Sequence, residues 1–408
     1  MMRAAVSASL LGTFGISAGS ATRATIAATP LEIPITTLSA SAVMPPGGLP
    51  VSQAKARELL NARLTKSEDP REKADLRWVL TLADRYGGRG QPRGRRATVG
   101  RTLRVNAWWY STRHSPASRV VLRDSDGIIS TYREFHGFMV NPVATIGRWR
   151  GLNRDVPNPV MARLISAMAV DRTIDKLPVW VWEYFDVADN RLQMRPGVSG
   201  MAQSRAALLF SQSYRQTGDP AYARAALKSL NAFRVPVSRG GVESQVSIGA
   251  KARTAPWYVE RAYPGQSPWK GAALNGFMVS LLDLERVSEV LGRPALPSPV
   301  PAEGEYSVAT VPPQEIAAGR NLSAALVDEG LVTLQRFLPV HDTGSWSFYG
   351  LLTGGRPWRH HVADLNYHCY HILLLNHLES DFPGRGFGTY ASKWAGYVKT
   401  RALACPAK

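Results

Sequence analysis

Residues 342–378, DTGSWSFYGLLTGGRPWRHHVADLNYHCYHILLLNHL, gather Tyr349, Tyr367 and Tyr370 with five of the chain's eight histidines. The run then leads straight into an apolar helix. From Tyr367 onward, Tyr370, His371, Leu374 and Leu378 recur at helical spacing and share one face. The first turn of that face is polar and aromatic, and the rest is aliphatic. Such a helix buries its body in a core and lines a cavity with its N-terminal turn. A buried Tyr/His cluster satisfied by its own neighbours is the plain alternative. His368 and His371 have an H-x-x-H spacing without a third ligand, so neither a metal nor a cofactor is expected.

Outward from this stretch the chain reads as helices at regular intervals. From Asn141 they fall at about 142–153, 158–175, 200–216, 219–234, 270–291, 313–337, 364–379 and 389–402. In the 270–291 helix, Ser267 is the expected cap and Pro268 suits an early position. Leu274, Phe277, Met278, Leu281 and Leu282 form its stripe, and Gly292 and Pro294 end it. Eight helices in successive hairpins predict a mainly α protein, an α/α toroid of about four pairs, because each hairpin must bury its inner stripe on the next. A small β-element is expected before it, with strands at 102–110, 118–124 and 128–132. Ser52 and Asp69-Pro70 start two short helices, 54–64 and 70 to about 86. The Arg- and Gly-rich run 87–104 reads as a mobile basic loop.

The domain boundaries follow from these shifts. Residues 1–28 resemble a secretory signal, which implies a secreted or cell-envelope protein, with a cytoplasmic one left open. Residues 29–50 read as a linker, 51–126 as a small helical and β region, and 127–408 as the main helical domain. No stretch has the apolar length of a transmembrane helix. Cys369 and Cys405 are able to pair in an oxidising compartment. The net charge of +18 implies an anionic partner. Nucleic acid is disfavoured because no recognition motif is present, whereas an acidic polysaccharide fits. A homodimer is left open. The long loops 176–199 and 235–269 are rich in Trp and Tyr, which stack well on sugar rings.

Three stretches taken together resemble a known family. They are PGVSGMAQSRAALLFSQSYRQTGDPAYARAAL (196–227), WYVERAYPG with LNGFMVSLLDL (257–284), and DTGSWSFYGL with NYHCYHILLLNHLE (342–379). In this order and spacing they resemble the C-terminal catalytic region of the D-glucuronyl C5-epimerases, over roughly residues 127–402. The resemblance implies conversion of D-glucuronate to L-iduronate units in a heparosan- or heparan-like polysaccharide. It also implies catalytic roles for Tyr263, Tyr349 and Tyr367, with Glu260 as acidic partner. Gln203, Arg253, Trp257, Arg261, Asn275, Arg359 and His371 are the expected substrate-binding residues. Animal members carry Glu-Glu directly before the Tyr-Pro, where this chain has Glu260-Arg261-Ala262-Tyr263. They also carry an Arg where this chain has Leu352, so another cation, Arg359, Arg253 or Arg261, must meet the uronate carboxylate.

The chemistry explains the residue types. Inversion at C5 removes a proton beside a carboxylate and returns one to the opposite face. The enediolate between these steps needs donors or a cation at its oxygens. Two tyrosines serve if a cation lowers the pKa of the one acting as base. Tyr263 and Tyr367 are assigned to opposite faces, with Tyr349 as helper and Arg359 or His371 polarising the carboxylate. A polysaccharide lyase would use the same intermediate, and a non-catalytic acidic-glycan-binding protein would need none of the tyrosines.

Overall fold

The structure is a computed structural model that describes residues 41–43, 52–117, 120–152, 159–185, 194–247, 253–267, 270–294, 312–350 and 362–406. The expected signal segment, most of the expected linker and Arg359 lie outside these residues. The described residues are mainly helical. Ser52 caps α1 (Gln53–Lys66) by accepting from the Lys55 amide, and Asp69 caps α2 (Pro70–Tyr86) by accepting from the Arg71 amide.

The next element differs from expectation. Most of the basic loop expected at 87–104 and the whole strand expected at 102–110 are replaced by one helix, α3 (Arg93–Tyr110), with turns kept before Arg93. Glycine disfavours an isolated helix by about 1 kcal/mol per residue, but tertiary packing overrides that here. A β-carbon at Gly94 would collide with the Ala169 carbonyl. The glycine is therefore the point where α3 touches the main chain of its neighbour. The aromatic end of α3 and the apolar faces of α1 and α2 share a core that includes Leu60, Leu76, Val79, Leu103 and Tyr110.

The expected β-element keeps its later strands and gains others. β1 (Ser41–Val43) lies within the segment read as linker and runs parallel to β2 (Val121–Arg123). β2, β3 (Ile129–Arg133) and β4 (Gly137–Val140) pair antiparallel, completing a sheet in the order β1-β2-β3-β4. The helix expected at 158–175 is shorter. After α4 (Pro142–Leu152), α5 (Pro159–Met168) stops and β5 (Val170–Ile174) hairpins onto β6 (Leu177–Val181). Asp175 and Lys176 both have left-handed backbones, with φ of 50° and 65°, as a tight two-residue hairpin turn requires.

The remaining helices match their predicted places more closely. They are α6 (Gly200–Thr217), α7 (Pro220–Asn231), α8 (Leu274–Leu291), α9 (Pro313–His341), α10 (Leu365–Asp381) and α11 (Phe387–Thr400). A short hairpin of β7 (Glu243–Val246) and β8 (Ala255–Tyr258) precedes α8. α6 packs on α7 and α8, α8 on α9 and α10, α7 on α9, and α10 on α11. The α8 stripe Leu274, Phe277, Met278, Leu281 and Leu282 is buried, at about 1.5–3 kcal/mol for each large side chain. Ser267 does not cap α8. The helix starts at Leu274, and its amide instead donates to the Tyr349 carbonyl at 2.9 Å. An orphan group of the first turn is thereby met by the segment that carries a site tyrosine. Cys369 and Cys405 form a disulfide that ties α10 to the segment after α11.

Candidate active site

Three pieces of chain meet at the start of α8. The turn after β8 brings Glu260 to Tyr263, the stretch after α9 brings Tyr349, and the first turn of α10 brings Tyr367. Asp364 fixes that first turn by accepting from the Tyr367 amide at 2.8 Å. The Glu260 amide donates to the Gly271 carbonyl at 3.0 Å, which turns its side chain toward α8. There the carboxylate lies against Gly276, where a β-carbon would come within 3.1 Å of its Oε2. The positive end of the α8 dipole favours a negative charge in that place.

The Tyr349 hydroxyl donates to Glu260 Oε2 at 3.1 Å. Its ring stands edge-on to Tyr367, with centroids 4.7 Å apart. Burial, and then the neighbouring Glu260 and Tyr367, push the Tyr349 phenol well above its ordinary range, with Arg261 opposing. Tyr349 therefore rests as the protonated phenol and hydrogen-bond donor. Tyr367 is 41% exposed, so its face is open to a ligand beside Tyr349. Arg261 and Arg253 are both exposed, and Arg261 is close enough to act on Tyr349.

Tyr263 is buried, with its amide donating to Gln266 Oε1 at 3.0 Å. Its ring meets Tyr184 edge-on at 5.8 Å. The Tyr184 hydroxyl in turn reaches the Glu260 carbonyl at 3.2 Å. A series of contacts thus runs from Tyr367 through Tyr349, Glu260 and Tyr184 to Tyr263. Tyr184 is the residue that reading the sequence overlooked. Its signal is the aromatic run WVWEYF, which by itself reads as part of a sugar-stacking loop.

Three expected binding residues lie in the core. Trp257 has no exposed surface and stacks on Phe277 at 4.2 Å and on His341 at 5.8 Å. Gln203 accepts from the Trp182 amide at 3.2 Å and donates to the Trp180 carbonyl at 2.7 Å, stitching α6 to the end of β6. His371 is fully buried, and its place in a hydrogen-bond series sets its tautomer. His368 Nε2 lies 3.1 Å from the Trp394 carbonyl and must donate to it. His368 Nδ1 then accepts from Ser347 Oγ at 2.8 Å, and Ser347 Oγ accepts from His371 Nδ1 at 2.9 Å. Burial holds His371 well below its ordinary range, so it remains neutral and presents no charge to a carboxylate. The H-x-x-H spacing serves this shared hydroxyl. Asn275 is buried too, and its Oδ1 has no hydrogen-bond partner among the described residues.

The profile of the D-glucuronyl C5-epimerase C-terminus matches residues 176–396, more than half of the chain. The chain belongs to this family. The match contains Tyr184, Glu260, Tyr263, Tyr349 and Tyr367, and leaves α1 to α3 outside it. A D-glucuronyl C5-epimerase of Caenorhabditis elegans is 27% identical over 213 residues, which are 52% of this chain and 30% of that protein. An uncharacterized protein of Methanocaldococcus jannaschii is 27% identical over 182 residues, 45% of this chain and 46% of its own length. The chain thus spans less than half the length of either relative.

Proposed function

We propose that this chain is a uronate C5-epimerase that converts D-glucuronate to L-iduronate units in an anionic, heparosan- or heparan-like polysaccharide. The observation that carries the reading is the protonated Tyr349 held on Glu260 beside the exposed ring of Tyr367. Family membership supports the reaction class. Tyr263 and Tyr367 face C5 from opposite sides. One accepts the proton, the electron pair spreads into the carboxylate, and a phenol on the other side returns a proton. Tyr349 donates a hydrogen bond within this step, which its raised pKa allows. Arg261 meets the uronate carboxylate, with Arg253 along the polymer.

The hairpin contacts of α6 with α7, α8 with α9 and α10 with α11 support closure into an α/α toroid. The Cys369–Cys405 disulfide supports a secreted or cell-envelope location. The test is incubation with a glucuronate oligosaccharide in heavy water. Deuterium at C5, iduronate formation and an unchanged chain length are expected. Tyr349→Phe should lower turnover by roughly a hundredfold with binding retained. Cleavage to an unsaturated uronate would make the protein a lyase. Binding without exchange would make it a glycan-binding protein.

A further inference from the structure

We infer that Tyr184 is a positioning residue of this site, anchored through Glu183 by Arg95 of the N-terminal helix α3. The inference rests on the uronate-epimerase reading. The Glu183 side chain has no exposed surface, and two guanidiniums hold its carboxylate. Arg95 donates in a fork, from Nε at 2.7 Å and Nη2 at 2.8 Å, and Arg172 of β5 donates to the same Oε1. The far side of Arg95 is fixed as well, its Nη1 donating to Gln91 Oε1 at 2.7 Å. Such a fork fixes the plane of a carboxylate, where a lysine would supply only a point charge.

The next residue inherits that rigidity. The Tyr184 amide donates to the Gly197 carbonyl at 3.0 Å, and the Gly197 amide donates back at 2.8 Å. Gly197 itself lies directly under the Tyr263 ring, in space that a β-carbon would fill. The Tyr184 ring stands edge-on to Tyr263, while its hydroxyl reaches the carbonyls of Glu260 at 3.2 Å and Val198 at 3.3 Å. One side chain therefore sets both the ring of Tyr263 and the main chain of the residue that accepts from Tyr349. Arg95 and Arg172 both precede residue 176, where the family match begins. The N-terminal layer thus contributes the anchor for a site built from the matched region. A misplacement of about 1 Å from a mutation far from the chemistry is enough to cost roughly a hundredfold in rate.

The test uses the full chain with Tyr184→Phe, Arg95→Lys and, as a control, Arg93→Gln, which removes an exposed charge from the same helix. Deuterium exchange at C5 of a glucuronate hexasaccharide gives kcat and KM, and carbon-13 labelling at tyrosine Cζ reports the phenols. Tyr184→Phe should lower kcat by roughly ten- to a hundredfold while KM stays within about twofold. Arg95→Lys should lower kcat in the same direction by less, and should displace the Tyr263 signal although residue 95 does not touch it. Arg93→Gln should change neither quantity. If Arg95→Lys fails to fold, Gln91→Leu loosens the same guanidinium and should give the same pattern more weakly. Unchanged kcat and an unmoved Tyr263 signal in the folded variants would overturn the inference, as would losses confined to thermal stability. If the wild type exchanges no C5 hydrogen on any uronate oligosaccharide, the epimerase reading falls. The tyrosine signals then decide alone, with a displaced Tyr263 supporting the positioning and an unmoved one overturning it.

Discussion

Buried carboxylates hold the N-terminal layer from within, whereas the α10–α11 hairpin is joined by a disulfide, a buried His368–Trp394 hydrogen bond and a turn near its surface. Glu72, Asp75 and Glu183 are all fully buried. Glu72 takes a fork from Arg63, at 2.6 and 3.0 Å, and a contact from His114 at 2.9 Å. Asp75 has no cation in hydrogen-bond contact among the described residues. Its oxygens accept from the hydroxyls of Tyr110 (2.7 Å), Ser115 (2.6 Å) and Tyr132 (2.9 Å), and from the Gly137 amide (3.1 Å). These donors come from α3, the turn after it and the β3–β4 hairpin, so one carboxylate joins three elements. In the C-terminal hairpin the carboxylate of Glu379 only ties down the turn into α11, accepting from the Gly384 and Gly388 amides at 2.9 and 2.8 Å. The disulfide carries the longer-range constraint. A buried charge stabilises only while all its partners are present, a disulfide acts largely by restricting the unfolded chain, and a surface turn contributes little.

That contrast sets an order of expected losses. The largest belongs to Arg63→Met, which leaves Glu72 buried without its guanidinium. A loss of about 3–5 kcal/mol is expected in urea unfolding. Burial by itself would raise the Glu72 pKa, but hydrogen bonds from Arg63, Ser67 and His114 outweigh it and hold the group below its ordinary range. A carboxyl lowered on folding stabilises above its unfolded pKa of about 4.3, and that stability is lost as pH falls through the lower folded value. The gap between wild type and Arg63→Met should therefore narrow under acid. A loss below about 1 kcal/mol at pH 7 would show that the layer does not depend on this pin.

Cys405→Ser comes next. The bond closes a separation of 36 residues, for which a loss of about 2–4 kcal/mol is expected. Wild type in reductant should unfold at the same urea midpoint as the variant. A wild-type midpoint indifferent to reductant would remove the covalent half of the comparison. The smallest effect is that of Glu379→Gln. The Gly388 and Gly384 amides hold this carboxyl below its ordinary range, so its contribution exists above the unfolded pKa and fades as pH falls. The shift in melting temperature between wild type and Glu379→Gln should be small at pH 7 and should shrink further as pH falls below the unfolded carboxyl pKa of about 4.3.

Much of the helical framework was legible because its signals are local. Ser52 and Asp69 mark helix starts by what their side chains offer to amides two or three residues on. The α8 stripe is visible as spacing. Tyr349 and Tyr367 also stood out, and they do lie ring to ring. The α3 helix was not legible, since Gly94 reads as a breaker until Ala169 is known to sit against it. Ser267 failed as a cap for a similar reason, because α8 starts only at Leu274, whose amide is met by a carbonyl 75 positions later, that of Tyr349. For the site, helical periodicity placed His371 on the same face as Tyr367 but could not say that Ser347 would occupy it. Trp257 is expected to bind substrate, and its packing against the rings of Phe277 and His341 is not visible in any local spacing.

The sequence by itself determined where helices start, which faces are apolar, and which residue types gather near Tyr349 and Tyr367, because those properties depend on neighbours within a few positions. Only the tertiary structure decided which polar side chains meet one another. Gln203 and His371 are spent inside the fold, Glu260 receives Tyr349, and Arg95 reaches Glu183 across 88 positions of chain. A buried donor or acceptor takes whatever partner packing brings within about 3 Å, and that choice is not written in any local spacing.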